Sequence, residues 1–253
     1  MFGFDAATLA LIAIVTLIAF MVRGLSGFGS SMVGVGALSM ALPPAQVVPT
    51  YLGLELITSL NLLPSIWRHV HWRSLAWVTL GSLLATPFGL TMLAILDPDA
   101  MRLVVSACLL TIALFMLSGL AKRLTTRPAP GPIGAMLAGA ASGVLNGAAG
   151  IGGPPVIVFF FAHSAVAVGR ATVIAFFLLT DAYVLMLAGS TGVLSAVGWQ
   201  LLVVSLPFAL AGIWIGQHGY TRLDDAALRR LIWRLLAALG AFGLAGAAWR
   251  VIG

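Results

Sequence analysis

Cysteine is almost missing from this chain. Cys108 stands alone inside an apolar run, which excludes a disulfide framework, and the four histidines fall into none of the Cys/His spacings of a metal site. Charge is scarce too: 8% of the 253 residues are charged against 61% hydrophobic, with a mean hydropathy of +1.11, values that exclude a water-soluble globular domain. Carboxylate or histidine clusters suited to phosphate or metal chemistry are lacking, so neither catalytic residues, a metal nor a cofactor is expected. The ten-residue alternation of a membrane β-barrel does not occur either. The opening "MFGFDAATLALIAIVTLIAF" has no basic region and carries Asp5, so it reads as a retained first helix and not a cleaved signal peptide. The net charge of +6, which would suggest nucleic acid in a soluble protein, is here the basic loop excess of a membrane protein.

What the sequence does contain is hydrophobicity of bilayer length. Runs at 45–66, 74–96, 102–121, 170–190, 197–217 and 227–250 each approach the roughly twenty residues that cross a hydrocarbon core. The stretches 7–42 and 133–163 are equally apolar, but glycines cut each near its middle, so each reads as a pair of shorter helices. The expected fold is an all-α integral membrane protein with 8–10 membrane segments.

The chain also echoes itself. "LDPDAMRLVVSACLLTIALFMLSGLA" (96–121) aligns without gaps on "LDDAALRRLIWRLLAALGAFGLAGAA" (223–248), and "GLSGFGSS" (24–31) aligns on "GAAGIGGP" (147–154), with Pro87 and Pro207 between the anchors. The chain therefore divides into a first membrane repeat (1–121), a polar proline-rich linker (122–132) and a second repeat (133–253), each a broken pair followed by three spans. Because three unbroken spans are an odd number, the second repeat is expected to be inverted. Charge placement agrees: inversion puts Arg68, Arg73, Lys122, Arg123, Arg127, Arg170, Arg222, Arg229 and Arg230 on one side, and only Arg102 and Arg250 on the other. By the positive-inside rule the first side is cytoplasmic and both termini face the periplasm, across a bacterial inner membrane.

A helix break at membrane depth leaves backbone groups that hydrocarbon cannot satisfy, so both breaks are expected to lie in the protein interior. Each is followed by a helix that starts within the glycine stretch, near Ser30 and near Pro154. Helix N-termini carry free N–H groups and partial positive charge, so two such ends meeting at the midplane would hold a small anion. The candidate binding residues are Arg23, Gly24, Ser26, Gly27, Phe28, Gly29 and Ser30 in the first half, with Asn146, Gly147, Gly150, Ile151, Gly152, Gly153 and Pro154 in the second. The bland alternative is that the glycines only pack helices. Arg23 weighs against it, since an intramembrane arginine costs at least about 3 kcal/mol on insertion scales.

Glu55 and Asp181 lie within corresponding spans and are the candidates for coupling, with protons as the coupling ion; the alternative is that they pair with Arg23, Arg170 or a hydroxyl. Two other readings of the whole are a small-anion channel and an intramembrane serine protease using Ser26 and His163. The lipid bilayer and a small anion are the expected partners, and oligomeric state is left open.

"GLSGFGSSM", "NGAAGIGGPPVIVFF" and the repeat ends "LDPDAMR" and "LDDAALRR" resemble the TauE/SafE family, the sulfite exporter group that also takes in 4-toluene sulfonate uptake permease-like membrane proteins. The resemblance covers essentially the whole chain. It implies export from the cytoplasm of sulfite, an organosulfonate such as sulfoacetate, or another small anion. Where the family's second motif often has a third consecutive glycine, this sequence has "GGPP".

Overall fold

The computed structural model describes residues 4–39, 41–95, 131–150, 152–190 and 196–220, with isolated positions after them. Among these residues there is no strand. The helices are α1 (Ala6–Ser26), α2 (Ser30–Leu38), α3 (Pro44–Ile66), α4 (Trp72–Ile95), α5 (Pro132–Ala149), α6 (Gly153–His163), α7 (Val166–Ser190) and α8 (Ala196–Tyr220). Among the described residues, five stretches are long and apolar enough to cross a membrane: α1, α3 with the 3₁₀ turn Trp67–His69, α4, α7 and α8. The runs at 45–66, 74–96, 170–190 and 197–217 thus correspond to helices. The runs 102–121 and 227–250 lie outside the described residues, apart from isolated positions in the second.

Both glycine-cut segments are broken, but not into halves of equal rank. In the first, α1 has 21 residues and crosses by itself, while α2 has 9; in the second, α5 has 18 and α6 has 11. Asp5 starts α1 by accepting the Thr8 N–H at 3.3 Å, and its hydrogen bonds with Thr8 hold the carboxyl below its ordinary pKa. Gly27 ends α1 at φ 86°, returning its N–H to the Arg23 carbonyl at 2.7 Å; Gly150 ends α5 at φ 66°, returning its N–H to the Asn146 carbonyl at 2.8 Å. A left-handed C-cap of this kind suits glycine, which has no Cβ to clash.

Helices in lipid gain little from hydrophobic burial against one another, so association depends on close approach. Glycine provides it along two crossings. A Cβ on Gly24 would fall 2.6 Å from the Ile213 carbonyl oxygen, and one on Gly216 2.3 Å from that of Met21, which seats α1 on α8. Likewise Cβ atoms on Gly139 and Gly143 would fall 1.9 Å and 2.3 Å from the Val78 and Ser82 carbonyl oxygens, which seats α5 on α4. The long helix of each broken pair therefore packs on a span of the other half, while α3 and α7 pack on each other between them. These two are buried along most of their length; α1, α4 and α8 present Ile14, Leu84, Phe88 and Trp214 outward. At one end Trp67 and Trp72 meet edge to face at 4.4 Å beside exposed Arg68, His69 and Arg73, and the His71 N–H binds the Thr172 hydroxyl at 3.0 Å, anchoring this turn to α7.

Gly139→Ala is expected to destabilise the detergent-solubilised protein by about 1–3 kcal/mol, the range of an overpacked core. Gly36→Ala, at an α2 position where nothing lies within 4 Å, should be neutral or stabilising. Thermal unfolding of the two variants separates them; equal midpoints would mean that the α4–α5 crossing is not held by backbone proximity.

Candidate functional site

Arg23 occupies the last turn of α1, one turn before the glycine that ends it, and its side chain has no exposed surface. An ion in that position demands compensation, and α3 supplies it. The Arg23 Nη1 lies 3.2 Å from Glu55 Oε1, while Nη2 donates to the Ser59 hydroxyl at 2.6 Å and, at 3.5 Å, toward the Glu55 carbonyl. The Phe177 ring of α7 sits under the guanidinium, 5.5 Å from Cζ to the ring centroid.

Glu55 Oε1 is held from a second direction by the start of α2. The Ser31 N–H donates to it at 3.0 Å and the Ser30 hydroxyl donates to it as well. Ser31 N–H belongs to the first turn of α2, one of the donors that has no partner inside the helix. The anion at this helix end is thus one of the protein's own side chains, and Arg23 and Glu55 cancel each other's charge. The pairing of Glu55 with Arg23, the alternative to a coupling role, is therefore present in the structure.

The second half repeats the geometry with different chemistry. Asn146 stands one turn before Gly150, as Arg23 does before Gly27, and its Nδ2 donates to Asp181 Oδ1 at 3.2 Å on α7. Both residues are fully buried. The Asp181 carboxyl also lies within interaction range of the Glu55 carboxyl, so the two pairs meet between α3 and α7. Four buried polar atoms here lack a hydrogen-bond partner: Arg23 Nε, Ser31 Oγ, Asn146 Oδ1 and Asp181 Oδ2. The starts of α2 and α6 approach one another: a Cβ on Gly153 would fall 2.7 Å from Met32 Cε and 3.6 Å from Phe177 Cζ.

The remaining predicted residues divide by role. Gly24 packs on α8, and Gly147 packs on α4 with its added Cβ 2.5 Å from the Thr86 carbonyl oxygen, so both mark helix crossings. The Ser26 hydroxyl closes the first break, 2.8 Å and 2.6 Å from the Val22 and Phe28 carbonyls, and accepts the Phe28 N–H at 3.2 Å. That commitment speaks against Ser26 as a nucleophile; His163 ends α6. Ser142 gives its hydroxyl to the Gly152 carbonyl in the second break. Phe28 meets Phe161 edge to face at 5.9 Å, joining the first break to α6. Gly29 (φ 95°) leads into α2, Gly150 packs on Val48, Gly152 packs on Asn146, and Pro154 is the buried second residue of α6. Ile151 lies outside the described residues. Gly27 packs against Arg170, whose Nη2 donates to the Gly24 carbonyl at 2.7 Å and whose Cζ lies 4.3 Å from the Tyr220 ring centroid. Arg170 is therefore a buried cap on the C-terminal end of α1. Sequence reasoning missed Ser31, Ser59 and Phe177. Ser59 was recoverable, because it stands one helical turn after Glu55.

Most of the chain is similar to known proteins. A family model described as "Sulfite exporter TauE/SafE" matches residues 11–243. A "Probable sulfite/organosulfonate exporter TauE" from Cupriavidus necator is 27% identical over 224 residues, covering 85% of this chain and 86% of that protein. No solved structure matches.

A double-mutant cycle measures the central pair. Arg23→Leu alone leaves a buried, unpaired carboxylate and should cost about 3–5 kcal/mol, whereas adding Glu55→Leu should recover most of it. Additive losses in thermal unfolding would mean that the two charges are compensated separately.

Proposed function

We propose, from the premise that this chain belongs to the TauE/SafE sulfite exporter family, that it is a secondary carrier exporting a small sulfur oxyanion, sulfite or an organosulfonate, from the cytoplasm across a bacterial inner membrane. The observation that carries this reading is the fully buried Arg23 beside the start of α2, where its guanidinium, the Ser30 hydroxyl and the Ser31 N–H surround a single carboxylate oxygen. A sulfite or sulfonate oxygen asks for the same donors. Arg23 Nε and the Ser31 hydroxyl, buried and unpartnered, are two further donors for an anion with several oxygens.

The site is lopsided toward the first half. The first two residues of α2 are serines with backbone N–H groups, while Pro154 and Pro155 remove two of the donors from the first turn of α6. In this reading α2 and Arg23 bind the anion, and α6 contributes its dipole and Asn146. Alternating access of two inverted repeats, 1–121 and 133–253 joined by 122–132, moves the site between the two sides, with both termini periplasmic. The exchanged packing of α1 on α8 and α5 on α4 supports a two-fold relation between the halves. Glu55 and Asp181 are the proposed proton carriers. The closed packing around Arg23, which has no exposed surface, supports a carrier over an open channel.

Sulfite or sulfoacetate should raise the unfolding midpoint of the purified protein, by the equivalent of about 2.7 kcal/mol at a hundredfold excess over Kd, with sulfate and chloride weaker. Arg23→Gln, which keeps donors and removes the charge, should abolish the effect. Stabilisation that survives in Arg23→Gln would place the anion elsewhere.

A further inference from the structure

The three donors that converge at the start of α2 are already engaged by a side chain. Glu55 Oε1 accepts from the Ser30 hydroxyl, from the Ser31 N–H at 3.0 Å and from Arg23 Nη1 at 3.2 Å. These three donors lie on two different helices, and the acceptor comes from a third, so their convergence is not a local accident of sequence. A carboxylate oxygen and a sulfonate oxygen are similar in size, charge and hydrogen-bonding direction, and two of them cannot occupy one position.

Resting on the carrier reading, we propose that the Glu55 carboxylate is a tethered competitor of the transported anion: it fills the anion position at the start of α2 when no substrate is bound, and the substrate binds only by displacing it. The surroundings make this exchange feasible in one direction and bounded in the other. Removing all anions would leave Arg23 buried without charge compensation, which Glu55 prevents. Admitting a substrate while the carboxylate stayed would place two negative charges on one guanidinium, beside the buried Asp181 carboxyl. The charged and titratable groups around Glu55 are Arg23 on α1, Asp181 on α7 and Tyr51 on α3 itself, whose hydroxyl is bonded to Thr16 at 3.0 Å. Among the described residues no second cation contacts the carboxylate, so Arg23 serves one anion at a time. An empty site is thereby never a bare positive charge, and the carrier is protected from holding adventitious chloride or sulfate.

The test compares wild type, Glu55→Gln and Glu55→Ala, each as the full chain in detergent, by titration with sodium methanesulfonate followed as a thermal shift. Methanesulfonate keeps its single charge across the accessible pH range. Glu55→Gln retains the acceptor for Ser30 and Ser31 and removes the competing charge, so it should bind at least about tenfold more tightly than wild type, about 1.4 kcal/mol. Glu55→Ala should be stabilised by sodium acetate, which replaces the deleted carboxylate, while wild type is not. Methanesulfonate binding to wild type that is equal to or tighter than in Glu55→Gln overturns the competitor assignment and leaves the carrier reading in place. If Glu55→Gln does not fold, acetate rescue of Glu55→Ala decides: rescue supports the assignment and its failure overturns it. Stabilisation of none of the three proteins by methanesulfonate or sulfite overturns the carrier reading together with it.

Discussion

An arginine whose whole side chain is withdrawn from solvent within a membrane-spanning bundle has to be neutralised where it stands, and the arrangement of the first half follows from that requirement. The partner must come from another helix, because the last turn of α1 offers no acid. Glu55 on α3 meets it, Ser59 one turn further along α3 takes the second guanidinium nitrogen, and Phe177 on α7 closes the face. The break after Arg23 is part of the same solution. If α1 continued, no helix would begin beside Glu55; because it stops at Gly27 and α2 begins at Ser30, a fresh set of N–H donors is available to share the carboxylate's charge. The glycines and the ion pair therefore depend on each other.

The second half shows how much of this is architecture and how much is chemistry. In both halves the residue one turn before the terminal glycine reaches a carboxylate on the facing central span, and in both a serine closes the three-residue gap by bonding a carbonyl within it. What differs is charge: arginine in one half, asparagine in the other. Arginine meets its carboxylate as an ion pair, whereas an amide meets one by hydrogen bonding alone. In the proposed carrier, a two-fold scaffold with arginine in one half and asparagine in the other holds one anion site, where a pair of arginines would create two.

The breaks, the arginine and the helix starts at Ser30 and near Pro154 were legible in the sequence because they are violations: glycine clusters and a charge within otherwise lipid-compatible runs. The pairing of Arg23 with Glu55 was legible only as one of several pairings open to the two acids, since it joins residues on different helices and periodicity along one helix says nothing about which neighbour it faces. Arg170 illustrates the same limit. Nothing in the short loop "HSAVAVGR" that it ends indicates its partner, yet it lies over the end of α1, bonded to the Gly24 carbonyl, a contact between residues 146 apart. The glycines misled in the other direction. Gly24 and Gly147 sit inside motifs that read as a ligand cradle, but a helix has a back as well as a front, and theirs faces α8 and α4.

That division of labour among neighbouring glycines bears on how such a site can move. Gly24 and Gly147 let α1 and α5 touch the backbones of α8 and α4, while Gly27 and Gly150, a few residues on, carry the left-handed conformations at which each long helix ends, and Gly29 carries the one that leads into α2. The long helices are thus fixed to the opposite half through tight crossings, and the short ones are joined to them only through breaks. A crossing held by backbone proximity resists sliding, because a small shift brings the next side chain into the gap. A break with glycine at its ends absorbs a change of angle at two or three dihedrals. In the proposed carrier, α2 and α6 are therefore the parts free to reorient about the central α3–α7 pair. The anion position, built from the last turn of α1, the first turn of α2 and the middle of α3, is the place where such a reorientation would be felt first.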